Sequence, residues 1–210
     1  MLKNVFKELT LNSLISIILK LLLIVLFPYL IYLKQYLFAL SALIAIMLSL
    51  IPPLLKRNYN INLPWVIDFL ITSALYLHTL GLTFRWYKTV FYYDIITHLM
   101  GTIVIALLGF IMVYTLHFTK KLRLSIPLIG FFTVIFAVAV GAIWEIGEFA
   151  TDSFLGSKAQ ISNFDTMKDL IFDTLAGIIT AVAGMFYVRY APENKLSEII
   201  HPFDMILSIK

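Results

Sequence analysis

Residues 125–150 read SIPLIGFFTVIFAVAVGAIWEIGEFA. No charged side chain occurs from Ser125 to Trp144, and then Glu145 and Glu148 follow within one helical turn of each other. A helix rises ~1.5 Å per residue, so ~20 apolar residues cross the ~30 Å hydrocarbon layer of a bilayer. This stretch meets that requirement. Ser125 with Pro127 suits a helix start, because a serine oxygen can cap the first turn and proline is tolerated there. Five other stretches are comparable: Leu11 to Leu33, Tyr36 to Leu55, Pro64 to Phe84, Tyr93 to Leu116 and Asp169 to Tyr190. They predict an all-α, polytopic membrane bundle of about six transmembrane helices, forming one domain over residues 1–210 with a tail over 191–210.

Composition agrees with that reading. The chain is 61% hydrophobic and 13% charged, and its mean hydropathy is +0.94. A soluble domain carries ~25% charged residues, so a chain this apolar needs lipid as its solvent. Cysteine is absent, which excludes disulfides, thiolate metal sites and a cysteine nucleophile. The net charge of +4 is too small and dispersed to mark a nucleic-acid surface. Lys3 and Lys7 precede the first apolar run as in a signal peptide, but that run outlasts a ~7–15-residue signal core, and no small-residue cleavage site follows.

Local signals set the expected breaks. Only Lys34 and Gln35 separate the first two segments, which predicts a tight helical hairpin. Pro52-Pro53 with Lys56-Arg57 predicts the end of the second helix. Basic residues orient the chain. With the N-terminus inside, Lys3, Lys7, Lys56, Arg57, Lys120, Lys121, Arg123, Arg189, Lys195 and Lys210 are cytoplasmic, against Lys34, Arg85, Lys88, Lys158 and Lys168 outside. Ten against five predicts a plasma-membrane protein with both termini in the cytoplasm. The tail mixes Leu196, Ile199, Ile200, Phe203 and Ile206 with polar residues, a pattern that suits either an interfacial helix or a frayed terminus.

The acids are unevenly placed. Asp94, Glu145, Glu148, Asp152, Asp165, Asp169 and Asp173 all fall near the predicted outer ends of the last three helices. Asp94 and His98 are i and i+4; Glu145, Glu148 and Asp152 are spaced three and four; Asp165, Asp169 and Asp173 are spaced four and four. Each set shares a helix face wherever its residues are helical. An acid at membrane depth costs at least ~2.5–3.5 kcal/mol, so a group of them needs compensation. Protonation, pairing with Arg85, Lys158 or Lys168, or a bound cation would supply it. Carboxylates with one or two imidazoles suit Mg²⁺, Mn²⁺ or Ca²⁺, and Zn²⁺ less specifically.

The expected metal ligands are therefore His98, Glu145, Glu148, Asp169 and Asp173. Asp94, His98 and Glu148 are the expected catalytic groups, with Asp94 orienting His98. Plainer uses compete: Asp94 as an N-cap, Asp165 or Thr166 as cap of the sixth helix, Asp152 as a solvated helix end, and His78, His117 and His201 as ordinary polar residues. Ala137-x-x-x-Gly141 and Gly177-x-x-x-Ala181 let the fifth and sixth helices approach closely. Trp144 is placed to pack under the acids, and Trp86, Tyr87, Tyr92 and Tyr93 read as an aromatic belt. Lys20 lies inside the first helix and Asp68 one turn into the third; the inner halves are otherwise apolar.

The ordered motifs resemble a known family. His78-x-x-Gly81, Tyr93-Asp94-x-x-x-His98-x-x-Gly101, Trp144-Glu145-x-x-Glu148-x-x-x-Asp152-x-x-x-Gly156 and Asp165-Thr166-x-x-Asp169-Leu170-x-x-Asp173-x-x-x-Gly177 are similar to the YjdF-type inner-membrane proteins. A looser resemblance extends to VanZ-like proteins, which have Asn where Asp173 stands. The resemblance implies a fold and a shared polar site, not a reaction.

Three functions fit these residues: a metal-dependent enzyme acting on a lipid or envelope precursor, a cation- or proton-coupled transporter, and a structural protein with a buried polar network. The D-G-x-x-A-R stretch of CDP-alcohol phosphotransferases is missing. The expected partners are the lipid bilayer and a lipid-type substrate.

Overall fold

Helices form every regular element among the described residues, which in this computed structural model are 11–157, 159–160 and 162–208, with side chains described from residue 14. They are α1 (Leu11–Tyr32), α2 (Tyr36–Ser49), α3 (Ile51–Tyr59), α4 (Trp65–Thr83), α5 (Trp86–Thr89), α6 (Tyr93–Phe118), α7 (Ile126–Leu155), α8 (Asn163–Tyr190) and α9 (Glu193–Ile206). Six spans are long and apolar enough to cross a membrane: residues 14–32, α2 with α3, α4, α6, α7 and α8. Their large apolar side chains stay exposed along the sides, as with Val25, Met47, Ile135, Ile143 and Ile179. That is the surface lipid covers. Lys3 and Lys7 lie outside the described residues, as does Lys158.

Three boundaries differ from the sequence expectation, each for a stated reason. Pro52 and Pro53 do not end the second span. They occupy the first turn of α3, where a missing N–H costs nothing. The chain stays helical to Tyr59 and stops at Asn60, whose φ of 56° is left-handed. The fifth span runs on to Leu155 and ends at Gly156 (φ 65°). The sixth begins at Asn163, with Ser162 as its cap, accepting a bond from the Asp165 amide. Thus neither Asp165 nor Thr166 is the cap. The apolar runs stop short at both places because Asp152 and Asp165 are too polar for lipid. They are not too polar for helix, and at ~45 Å α7 outreaches the hydrocarbon layer.

The chain divides into two compact units, residues 1–97 and 98–210, with the division inside α6. In the first, α1 and α2 make the expected hairpin: Lys34 takes a left-handed φ of 58° and Leu30 packs on Ala39 and Ala42. Lys20 and Asp68 form an ion pair at 2.6 Å, joining α1 to α4. Ser16 donates to Asp68 at 2.5 Å and accepts from Lys20 at 2.9 Å. The two polar residues that the sequence places inside these helices are thus paired with each other. His78 bonds Tyr87 at 2.8 Å and Ser41 at 3.3 Å through its two nitrogens. The Tyr87 and Tyr93 rings lie over Gly81, where a side chain would collide with both. Tyr93 is buried and donates to the Leu77 carbonyl, and of the expected belt only Tyr92 is mostly exposed.

In the second unit, α7 and α8 pack through their small residues. A Cβ on Gly177 would stand 3.0 Å from the Ala137 Cβ. Phe136 lies on Gly109 of α6, and Phe110 of α6 lies on Gly184 of α8. The tail is neither frayed nor left with an open apolar face. It forms α9, whose Leu196 and Ile200 join Phe110, Tyr114 and Ile129 in a buried cluster.

Candidate functional site

The helical periods of α6, α7 and α8 bring polar residues together within the second unit. On α6, His98 and Thr102 are one turn apart. On α7, Gly141 and Glu145 are one turn apart. On α8, Asp165, Asp169 and Asp173 share one face, because the helix already includes Asp165. Glu145, Asp169 and Asp173 are buried at 4%, 3% and 1% exposure.

His98 lies between two of these acids. Its Nδ1 is 3.4 Å from Asp173 Oδ1, and its Nε2 is 3.9 Å from Glu145 Oε1. A histidine can donate from both nitrogens only when protonated; otherwise one nitrogen is free to bind a cation. Thr102 donates to the same Asp173 oxygen at 2.5 Å. Glu145 Oε2 accepts from the Gln160 side chain at 3.2 Å, which also bonds the Glu145 carbonyl at 3.1 Å. Glu145 Oε1 is buried with no hydrogen-bond partner among the described residues. Asp169 brings a carboxylate oxygen within 4.8 Å of a His98 ring nitrogen, and Lys168 stands 3.6 Å from it. That lysine is shared with Asp165 at 2.7 Å. Three buried carboxylates thus gather near His98 and Lys168. Acids grouped in a low-dielectric site are compensated by protonation, by pairing or by a cation.

Gly141 makes this arrangement fit. A Cβ there would collide with the Asp173 carboxylate and lie 3.2 Å from the Asp173 Cβ. Sequence spacing identified Gly141 as a contact between helices. Only the packed structure makes it the floor of the acid site.

Glu148, Asp152 and Asp94 are the other acids near these helix ends. Glu148 is half-buried and accepts from the Trp144 indole at 3.2 Å. Trp144 is 46% exposed, so it packs beside Glu148 on the outer side of α7 and not under the cluster. Asp152 organises the loop after α7, accepting from the Ala159 amide at 2.6 Å, the Gln160 amide at 3.0 Å and the Ser157 hydroxyl. It is not merely a solvated end; it holds the loop that delivers Gln160 to Glu145. Asp94 precedes His98 by one turn on α6, at the end of the first unit. The His98 Nδ1 meets Asp173 Oδ1 at 3.4 Å.

Sequence reasoning missed Thr102 and Gln160. Extending the Asp94–His98 spacing by four would have found Thr102 on the same face. No spacing rule reaches Gln160, which sits in a loop. Replacing Gln160 by alanine is expected to cost ~1.5–3 kcal/mol, the range for a hydrogen bond to a charged group. Thermal unfolding in detergent, read against Ser157→Ala as a loop control, checks it.

Comparisons with known proteins agree with a membrane assignment. A family described as "Predicted membrane protein (DUF2238)" matches residues 14–190. An uncharacterised protein of Thermotoga maritima is 33% identical over 128 residues, which cover 59% of this chain. The matched region spans 64% of that relative's length. No solved structure matches. With six apolar spans, and a family match that covers all of them to Tyr190, the chain belongs to the DUF2238 family of predicted membrane proteins.

Proposed function

We propose that His98, Glu145 and Asp169 hold a divalent cation at the extracytoplasmic end of this bundle, and that the protein is a metal-dependent membrane enzyme acting on a lipid or envelope precursor. One observation carries the reading: Glu145 Oε1, buried without a hydrogen-bond donor among the described residues, faces His98 Nε2 at 3.9 Å. Two ligand atoms on one cation with bonds of ~2.0–2.3 Å sit ~3–4 Å apart. Asp173 then takes the role of an outer carboxylate. It accepts from the Nδ1 side of His98 and is itself held by Thr102. An acid placed so fixes the ring orientation and raises the basicity of the other nitrogen.

The substrate class follows from depth. Glu145 is the twentieth residue of α7, ~30 Å from its start, so the cation would sit where the hydrocarbon meets the headgroups. Phosphoryl and ester groups of lipids occupy that level. A cation there polarises such an oxygen or activates water. The excess of basic residues on the opposite side supports the placement at the outer face.

Metal content tests the reading. Protein purified without chelator is expected to carry near-stoichiometric Mg, Mn, Ca or Zn by elemental analysis. Glu145→Gln and His98→Gln are each expected to lower affinity at least ~10-fold, and Asp173→Asn ~10–100-fold as an outer-residue change. Absence of metal from the wild-type protein after supplementation with each cation, with unchanged unfolding temperatures in all three variants, overturns it.

A further inference from the structure

At the other end of α6, Tyr114 lies sixteen residues beyond His98, ~24 Å along the helix. There a cavity of about 390 Å³ is lined by Tyr114, His117, Phe118, Lys120, Leu122 and Arg123. Its composition is split. Tyr114 and Phe118 supply an aromatic wall, with ring centroids 6.1 Å apart. Lys120 and Arg123 supply exposed cations at the rim. The backbone is set for this: Lys120 takes a left-handed φ of 59°, and the Leu122 amide turns back to the Leu116 carbonyl at 2.9 Å.

The three basic residues of this turn are not equivalent. Lys121 is bound to Asp204 of α9 at 2.8 Å. Among the described residues, neither Lys120 nor Arg123 has an acidic partner. His117 adds a donor. Its Nδ1 accepts the Leu124 amide at 3.3 Å, so the ring proton sits on Nε2. A basic turn that served only to orient the chain would need charge near the bilayer and nothing more. An aromatic-walled cavity with two cations left over and a ring N–H is more than that.

We propose that this cavity binds the phosphodiester of an anionic lipid headgroup. Arg123 matches two phosphate oxygens with its planar fork, Lys120 acts as a point charge, and His117 donates one hydrogen bond. Tyr114 and Phe118 pack on the glycerol and the upper acyl carbons. The level suits a lipid: α6 is ~39 Å long against a ~30 Å hydrocarbon layer, so its last turn stands among the headgroups. Basic pockets at helix ends are a recurrent form of anionic-lipid recognition. Phosphatidylcholine also carries a phosphate, but its choline cation cancels the charge that two unpaired cations select.

The test uses the full chain in non-ionic detergent, titrated with short-chain phosphatidylglycerol and, separately, phosphatidylcholine, with binding followed by native mass spectrometry. The wild-type protein is expected to retain phosphatidylglycerol in preference to phosphatidylcholine. Lys120→Gln/Arg123→Gln is expected to weaken phosphatidylglycerol roughly 30-fold, about fivefold for each cation. Lys121→Gln, whose cation is already held by Asp204, is expected to leave it within twofold. Equal retention of the two lipids, or a double variant that binds like wild type, overturns the proposal. Inorganic phosphate that outcompetes phosphatidylglycerol at equal concentration overturns the assignment to a lipid. The metal content of the double variant is expected to match wild type, so failure here is separable from failure at His98.

Discussion

Lys20→Met is expected to destabilise the protein by about 3 kcal/mol, and removal of Asp68 as well is expected to restore most of the loss. Lys20 is the only basic residue within α1, and its ammonium meets both oxygens of Asp68, at 2.6 and 2.7 Å. The two side chains are 12% and 23% exposed. Taking away one partner of a buried pair costs about 3–5 kcal/mol, because the other charge stays buried without its counter-ion. The lower end applies here, since Asp68 keeps some exposure and its bond from Ser16. Replacing both charges with apolar residues of similar size is often neutral or stabilising, so Lys20→Met/Asp68→Leu isolates the pair. Equilibrium unfolding in mixed micelles reads both variants. A single variant within ~0.5 kcal/mol of wild type would show that the pair adds nothing to stability.

The second large effect is expected at Gly141. Alanine improves an ordinary helix by up to ~1 kcal/mol over glycine, so the sign depends on what the new methyl meets. At Gly141 it meets the Asp173 carboxylate and lies 3.2 Å from the Asp173 Cβ, so turning the end of the side chain does not relieve the overlap. The whole side chain must move, which breaks its bonds to Thr102 and His98. Overpacking of this kind costs ~1–3 kcal/mol, and a lost bond to a charged group ~1.5–3 kcal/mol. The net expectation for Gly141→Ala is a loss of about 2 kcal/mol, together with a drop in bound metal as large as that of Asp173→Asn. Gly147 lies six residues on in the same helix with nothing within 4 Å of an added Cβ. Gly147→Ala is therefore expected to be neutral or slightly stabilising. Thermal unfolding and elemental analysis of the two variants side by side separate a clash at the site from a general effect on α7. Equal behaviour of the two would sink the claim.

Much of this fold was legible in the chain. Six apolar runs read as six spans, and the hairpin at Lys34-Gln35 and the small-residue contact of Ala137 with Gly177 appear as spacing implies. The errors lie where two scales of reasoning were merged. Apolarity decides how much helix lies in lipid, while backbone hydrogen bonding and caps decide how much helix there is. Ser162 and Gly156 mark the true ends of α8 and α7, and both carry ordinary cap chemistry that an apolar window overlooks.

The candidate site divides in the same way. Periodicity along single helices was enough to put Asp165, Asp169 and Asp173 on one face. Nothing along the chain distinguishes Glu145, which is buried beside His98, from Glu148, which turns to Trp144. That choice depends on the rotation of α7 against α6 and α8. The rotation is set by which small residues let the helices touch, Gly141 and Gly177 among them. Gln160 needed still more, since a loop held by Asp152 brings it to Glu145. By itself, the sequence determined that the protein is a bundle of membrane-crossing helices with acids gathered toward one end of the last three. Only the tertiary structure decided which acids share a histidine and which are spent on a loop, an indole or a lysine. Composition and period are properties of a helix alone, whereas a site between helices depends on their mutual rotation and closest approach.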